Sequence, residues 1–188
     1  MLTIDIAVTR PERDFNIRKQ DALEAAARGI SNIVIKRLRD KNRRTKPNRN
    51  GLPKSNYYAK AADSVTTTAT QEEAVVEIRE PGVGLHWKGG EVRPKPGKKA
   101  LAIPVNPAVA TIWPSEAGGI ATGGDDDDGA YKLIWPKGSD HGWIKEAETN
   151  ELMWLLIPKA RIPADPEVLP TVTEMAKAAH DAVMEMLK

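Results

Sequence analysis

Apolar residues recur at three- to four-residue spacing through the first quarter of the chain. Leu23, Ala26, Ala27, Ile30, Ile33, Val34 and Leu38 mark one stripe, which predicts a long N-terminal helix over residues 12–44. Pro11 suits its first turn, and Glu12 and Asp14 put negative charge where the helix dipole is positive. Ahead of it, residues 3–8 (TIDIAV) alternate apolar and polar and predict a short strand. Pro47, the Asn50 and Gly51 pair, and Pro53 end the helix in a basic loop. Residues 55–63 predict a short helix, and SVTTTATQEEAVVEIRE predicts strands at 64–70 and 74–79 joined by a tight turn.

Further strands are expected at 100–105, 131–135 and 151–157, each apolar and rich in branched or aromatic residues between turn signals. The last segment sets Val172, Met175, Ala176, Ala179, Val183, Met186 and Leu187 on one stripe behind Pro166 and Pro170, predicting a C-terminal helix over 166–188. The order predicts an α+β fold in a single domain, 1–188. It would comprise a long N-terminal helix, an antiparallel β-sheet region over 64–160 with a long loop over 106–143, and a C-terminal helix packed on the sheet.

Composition narrows the class. The chain of 188 residues is 40% hydrophobic and 29% charged, the balance of a folded globular protein. It has no cysteine, which removes disulfides, thiolate zinc sites and cysteine nucleophiles and fits a reducing cytoplasm. The start MLTIDIAVTRPERD lacks the basic opening and apolar run of a signal peptide, and no stretch approaches the ~18 apolar residues of a membrane span. Export and membrane insertion are therefore not expected.

Formal net charge is only +2, yet Lys36, Arg37, Arg39, Lys41, Arg43, Arg44, Lys46, Arg49 and Lys54 crowd one segment against the single acid Asp40. Repeated around a ring, this run would make a positive annulus facing the DNA path or an acidic neighbour. Contact with DNA would be to phosphates, without sequence preference, and would weaken steeply with salt. Tyr57 and Tyr58 follow the run and are expected to pack on the sheet rather than to stack bases.

Other chemistry is sparse. Gly89 and Gly90, between His86-Trp87 and Arg93-Pro94, predict a turn with positive φ between two extended segments; a phosphate loop would instead open a helix. His86 has no ligand spacing to His141 or His180, so His86 and Trp87 are expected to anchor this structural loop by packing and hydrogen bonding. Asp125, Asp126, Asp127 and Asp128 lack the alternation and distal glutamate of a calcium loop and read as a solvated acidic loop. Of the five tryptophans, Trp113, Trp135 and Trp143 flank the Gly-rich region and are expected at a subunit interface. No catalytic residue, metal or cofactor is expected.

Three segments carry a family resemblance. They are NGLPKSNYYAKAADSVTT (50–67), GVGLHWKGGEVRPKPGKKALAIPV (82–105) and RIPADPEVLP (161–170). The second resembles a signature of bacteriophage virion-morphogenesis and tail-completion proteins, through His86, Gly89, Gly90, Val92, Arg93, Pro94, Lys95, Lys98 or Lys99, and Leu101 to Pro104. The resemblance implies a non-enzymatic structural subunit, without cofactor, that forms a ring, hexameric by analogy, at the head–tail junction of a long-tailed phage. Its partners would be other tail and neck proteins and the DNA passing through the lumen, with no membrane; its place would be the virion, assembled in the host cytoplasm. The stretch 106–143, with GGDDDDG, is longer than the family pattern requires. Competing readings are a minor capsid component, a non-specific nucleic-acid-binding protein using residues 36–54, and a hydrolase acting in the long loop region.

Overall fold

The computed structural model describes residues 2–6, 19–46, 51–117, 119–121 and 129–188. The sequence reads as one domain, whereas packing divides the chain into two compact units. The first comprises residues 1–45, 56–89 and 163–188, and the second 46–55 and 90–162. Each has its own apolar core.

The first unit contains β1 (Leu2–Ile6), α1 (Lys19–Arg44), α2 (Tyr57–Asp63), β2 (Val65–Ala69), β3 (Ala74–Ile78), α3 (Val83–Lys88) and α4 (Val172–Met186). The apolar stripe accounts for α1: Leu23, Ala26, Ala27, Ile30, Val34 and Leu38 are all buried. The predicted start of this helix, 12–18, lies outside the described residues. The strands form an antiparallel sheet in the order β1-β3-β2. Central β3 alternates as its period-two pattern demands, with Ala74, Val76 and Ile78 inward, and α1 covers β2 and β3.

The C-terminal helix departs from its expected seat. It packs chiefly along α1 rather than on a sheet, because α1 already occupies the sheet face. Its start is fixed by a capping box in which Thr171 accepts from the Glu174 amide and Glu174 accepts from the Thr171 amide. Met175 and Ala179 pack on the core, but Val172, which shares their sequence stripe, is 79% exposed. The inward line instead passes through Ala178 and Ala182 to Gly29 of α1. A Cβ at Gly29 would lie 2.3 Å from the Ala178 carbonyl oxygen and 2.9 Å from the Ala182 Cβ.

The second unit contains β4 (Gly90–Val92), β5 (Leu101–Pro104), β6 (Ile120–Ala121), β7 (Tyr131–Ile134), β8 (Gly142–Glu146), β9 (Leu152–Ile157) and β10 (Ala160–Ile162). Five of these form a sheet ordered β5-β9-β8-β7-β6, antiparallel except for the parallel β6–β7 pair; β4 and β10 make a separate two-stranded sheet. Where the sequence predicts a single antiparallel sheet, the described residues form three. The predicted loop 106–143 contains, besides the expected strand at β7, the short β6 and the start of β8, which pair with β7 on either side.

A register shift at Ile144/Lys145 breaks the alternation, and the neighbours Met153 and Trp154 are both buried. They join Val109, Ile144 and Leu156 in the core, where the Tyr131 ring meets Trp154 edge-on at 5.2 Å.

Gly29→Ala separates close helix packing from ordinary helix propensity. At an open helical site, alanine would gain about 1 kcal/mol over glycine. Here the added methyl meets the Ala178 backbone, and we expect a loss of about 1–3 kcal/mol, read as a fall in Tm. A rise in Tm would mean that the helices part without cost.

Candidate functional site

The glycine-rich motif is built differently from its reading as a turn between extended segments. The residues before Gly89 form α3, one and a half turns bracketed by Gly82 (φ 89°) and Gly89 (φ 74°) and pinned by buried Val83. Gly89 does take the expected positive φ, and a Cβ there would come within 2.7 Å of the Ala164 amide nitrogen. Gly90 opens β4, so the motif continues into the second unit. There Arg93 Nε donates to Glu91 Oε1 at 2.6 Å. His86-Trp87 and Arg93-Pro94 therefore belong to different units rather than to one loop.

His86 sits against two tyrosines, with ring centroids 4.8 Å from Tyr57 and 5.6 Å from Tyr58, and its Nδ1 lies 3.3 Å from the Tyr58 hydroxyl. Its carbonyl accepts from the Asp165 amide at 3.0 Å, while Tyr57 donates to the Pro81 carbonyl at 2.8 Å. Trp87 packs on the first core, and the Lys88 ammonium lies 5.3 Å from its ring.

Burial pushes the Tyr57 hydroxyl up to about 12, with the Glu80 charge adding to the shift, and raises Tyr58 in the same direction. Burial lowers His86 against an opposing pull from Asp165. The cluster is a neutral, packed anchor for α3. Among the described residues, no group of three or more histidine, aspartate or glutamate side chains is placed to hold a metal.

The basic segment is divided by the fold. Arg37 pairs with Glu174 at 2.6 Å and Lys41 with Asp165 at 2.5 Å, both toward the C-terminal segment; Arg39 pairs with Asp63 of α2 at 3.2 Å, and Arg43 with Asp40. The sequence counts one acid near these cations because the other three arrive from distant parts of the chain. Lys36, Arg44 and Lys46 form no ion pair among the described residues, and Arg49 lies outside them. A cleft of about 410 Å³ runs beside α1, with Lys36, Arg37, Lys41 and Arg44 facing Glu167 and Glu174. The Glu174 carboxyl is held below the usual carboxylate range first by the Thr171 amide, then by the Thr171 hydroxyl and Arg37. Exposed pairs of this kind are each worth about 0–1 kcal/mol, and they match four of the seven cations between Lys36 and Lys46 with a carboxylate.

The three candidate interface tryptophans do not form one patch. Trp113 projects from a turn and is 65% exposed. Trp135 donates from its indole nitrogen to the Ser139 carbonyl at 3.0 Å, and its ring covers Gly142, where a Cβ would come within 2.6 Å. Trp143 stands on the other face of the sheet. Register places Ile134, Trp143, Leu155 and Ile103 in one row across β7, β8, β9 and β5. The row lies opposite the core-facing Leu133, Ile144, Trp154 and Leu156.

Ile103 and Ile134 are 37% and 36% exposed, and both were missed as interface candidates in the sequence. The signal was there: a sheet with one wet face reads polar on alternate positions, whereas LAIP and LMWLLI are apolar on both. No protein-family model matches the chain, and no curated protein or solved structure matches it either.

The titration of His86 links this cluster to stability. Its folded pKa lies below the ordinary 6.5, so the folded state binds protons less readily than the unfolded one. The resulting stability is complete above the ordinary value and is lost as pH falls through the window below it. We expect Tm to decline as pH falls below about 6.5, before the range where carboxylates dominate. His86→Gln should flatten that slope, and an unchanged slope would show that His86 is not the titrating group.

Proposed function

We propose that this protein is a structural subunit of a long-tailed bacteriophage virion, of the tail-completion or tail-terminator kind, acting at the head–tail junction by assembling into a ring. The signature resemblance at His86, Gly89-Gly90, Arg93-Pro94-Lys95 and Leu101–Pro104 supports the class. The observation that carries the assembly reading is the concentration of exposed large apolar side chains in the second unit: Ile103, Ile112, Trp113, Ile134, Trp135 and Leu152. Large apolar side chains left exposed in such number within one unit favour an interaction role for its surface. Among the described residues, no helix is long and apolar enough to cross a membrane.

A second reading, non-specific nucleic-acid binding by residues 36–54, draws on Lys36, Arg44 and Lys46, which the fold leaves without acidic partners among the described residues. It is weakened by the internal pairing of Arg37, Arg39, Lys41 and Arg43. In the ring, the same cations would line a surface toward passing DNA or toward an acidic neighbour.

Light scattering coupled to size exclusion, over a range of concentration and salt, separates the two. The assembly reading expects a defined multi-subunit mass that grows in with concentration and persists at high salt, since apolar contacts are not screened. A strict monomer that shifts onto DNA at low salt, and is released as salt rises, would replace it with the nucleic-acid reading.

A further inference from the structure

The row Ile134, Trp143, Leu155 and Ile103 is bordered by a second row in which Lys132 and Lys145 are directly opposed, followed by Leu152. Two like charges facing each other across a strand pair are unfavourable. Neither lysine has an acidic partner among the described residues. This face therefore presents apolar surface beside unbalanced positive charge, and its complement would be apolar surface beside a carboxylate.

The same unit carries that complement. The turn after residues 107–109 projects Trp113, 65% exposed, with Ile112 also exposed. Glu116 sits at its base: its carboxylate accepts from the Trp113 amide at 3.1 Å, and its own amide donates to the Trp113 carbonyl at 2.8 Å. Either side of this knob, Val109 and Ala117 pack into the second core with Ile144, Trp154 and Leu156. The knob consequently belongs to the core side of the five-stranded sheet, and the apolar row to the opposite side. One copy cannot bring them together.

We infer that the knob Ile112, Trp113 and Glu116 of one copy docks on the Ile134, Trp143, Leu155 and Ile103 row of the next, with Glu116 answering Lys132 and Lys145. The contact is head-to-tail: each copy offers one knob and one face, and repetition closes a ring or extends a filament. A face-to-face dimer through the row alone would leave Lys132 and Lys145 of both copies without a carboxylate from the row. This inference rests on the proposed assembly reading and names its interface.

Two variants separate the halves of the contact. Trp113→Ala removes the knob and keeps the face; Ile134→Glu places a carboxylate in the row and keeps the knob. Both positions are exposed, and circular dichroism with thermal melting verifies that each variant folds. We expect each alone to have the mass of one chain under conditions where the native protein assembles. Mixed at equal amounts, they should form a species of two chains and nothing larger, because only one productive knob-and-face pair survives.

Should Ile134→Glu fail to fold, Glu116→Lys and Lys145→Glu replace the pair. Each should weaken assembly, and the double variant should restore it. An assembled native protein whose variants keep its full mass would overturn this interface and leave the assembly reading standing. Loss of assembly in Ile134→Glu with none in Trp113→Ala would indicate a face-to-face contact and also overturn it. A native protein that is monomeric at every concentration would overturn both.

Discussion

Leu23, Ile30, Val34 and Leu38 must leave water together, because they lie on one side of a single helix, and no partner available to α1 alone can cover them. The first unit is arranged to meet that constraint. The sheet β1-β3-β2 supplies Val76 and Ile78 on one flank, α2 supplies Tyr58, Ala61 and Ala62, and the C-terminal segment adds Val168 and Leu169. Gly29 is the point where the cover is tightest, since only a residue without Cβ lets the α4 backbone come so close. The ends of the chain are thereby tied together, and residues 90–162 form a unit with a separate core between them.

Electrostatics follow from this packing rather than direct it. Once α4 lies along α1, Glu174 serves two purposes, capping its own helix and receiving Arg37. Asp165 likewise receives Lys41, while its amide holds the His86 carbonyl beside the tyrosine cluster. What reads along the sequence as a positive band with one acid becomes a surface on which Arg37, Arg39, Lys41 and Arg43 are paired, while Lys36, Arg44 and Lys46 form no ion pair among the described residues. The second unit has the opposite character: its sheet buries one face around Trp154 and leaves apolar side chains on the other, with Lys132 and Lys145 beside them. A surface of that composition is what the proposed assembly draws on.

Much of the secondary structure was legible in the order of residues. Periodicity near 3.6 located α1 and α4, and alternation between turn signals located β2, β3, β5, β7 and β9, because these elements express in consecutive side chains which face will be buried. The absence of cysteine likewise removed whole classes of chemistry before any coordinate was known. The strands β4, β6, β8 and β10 were not legible: β4, β6 and β10 have only two or three residues, too few for a pattern, β4 and β10 exist because each supplies the other's hydrogen bonds from far along the chain, and β8 opens on Gly142 beside turn residues.

Tertiary structure alone decided how these pieces meet. It set the C-terminal helix against α1, split the chain around two cores, and turned the glycine motif into a bracketed helix. It also brought Glu174 across 137 residues of sequence to Arg37. It separated Trp113, Trp135 and Trp143 and assembled in their place a row whose members come from four strands. The sequence by itself determined which side chains must be hidden and which local shapes they favour, since those follow from periodicity and composition. Which surfaces ended up covered, charged or exposed depended on contacts between residues far apart in the chain, and no local pattern encodes those.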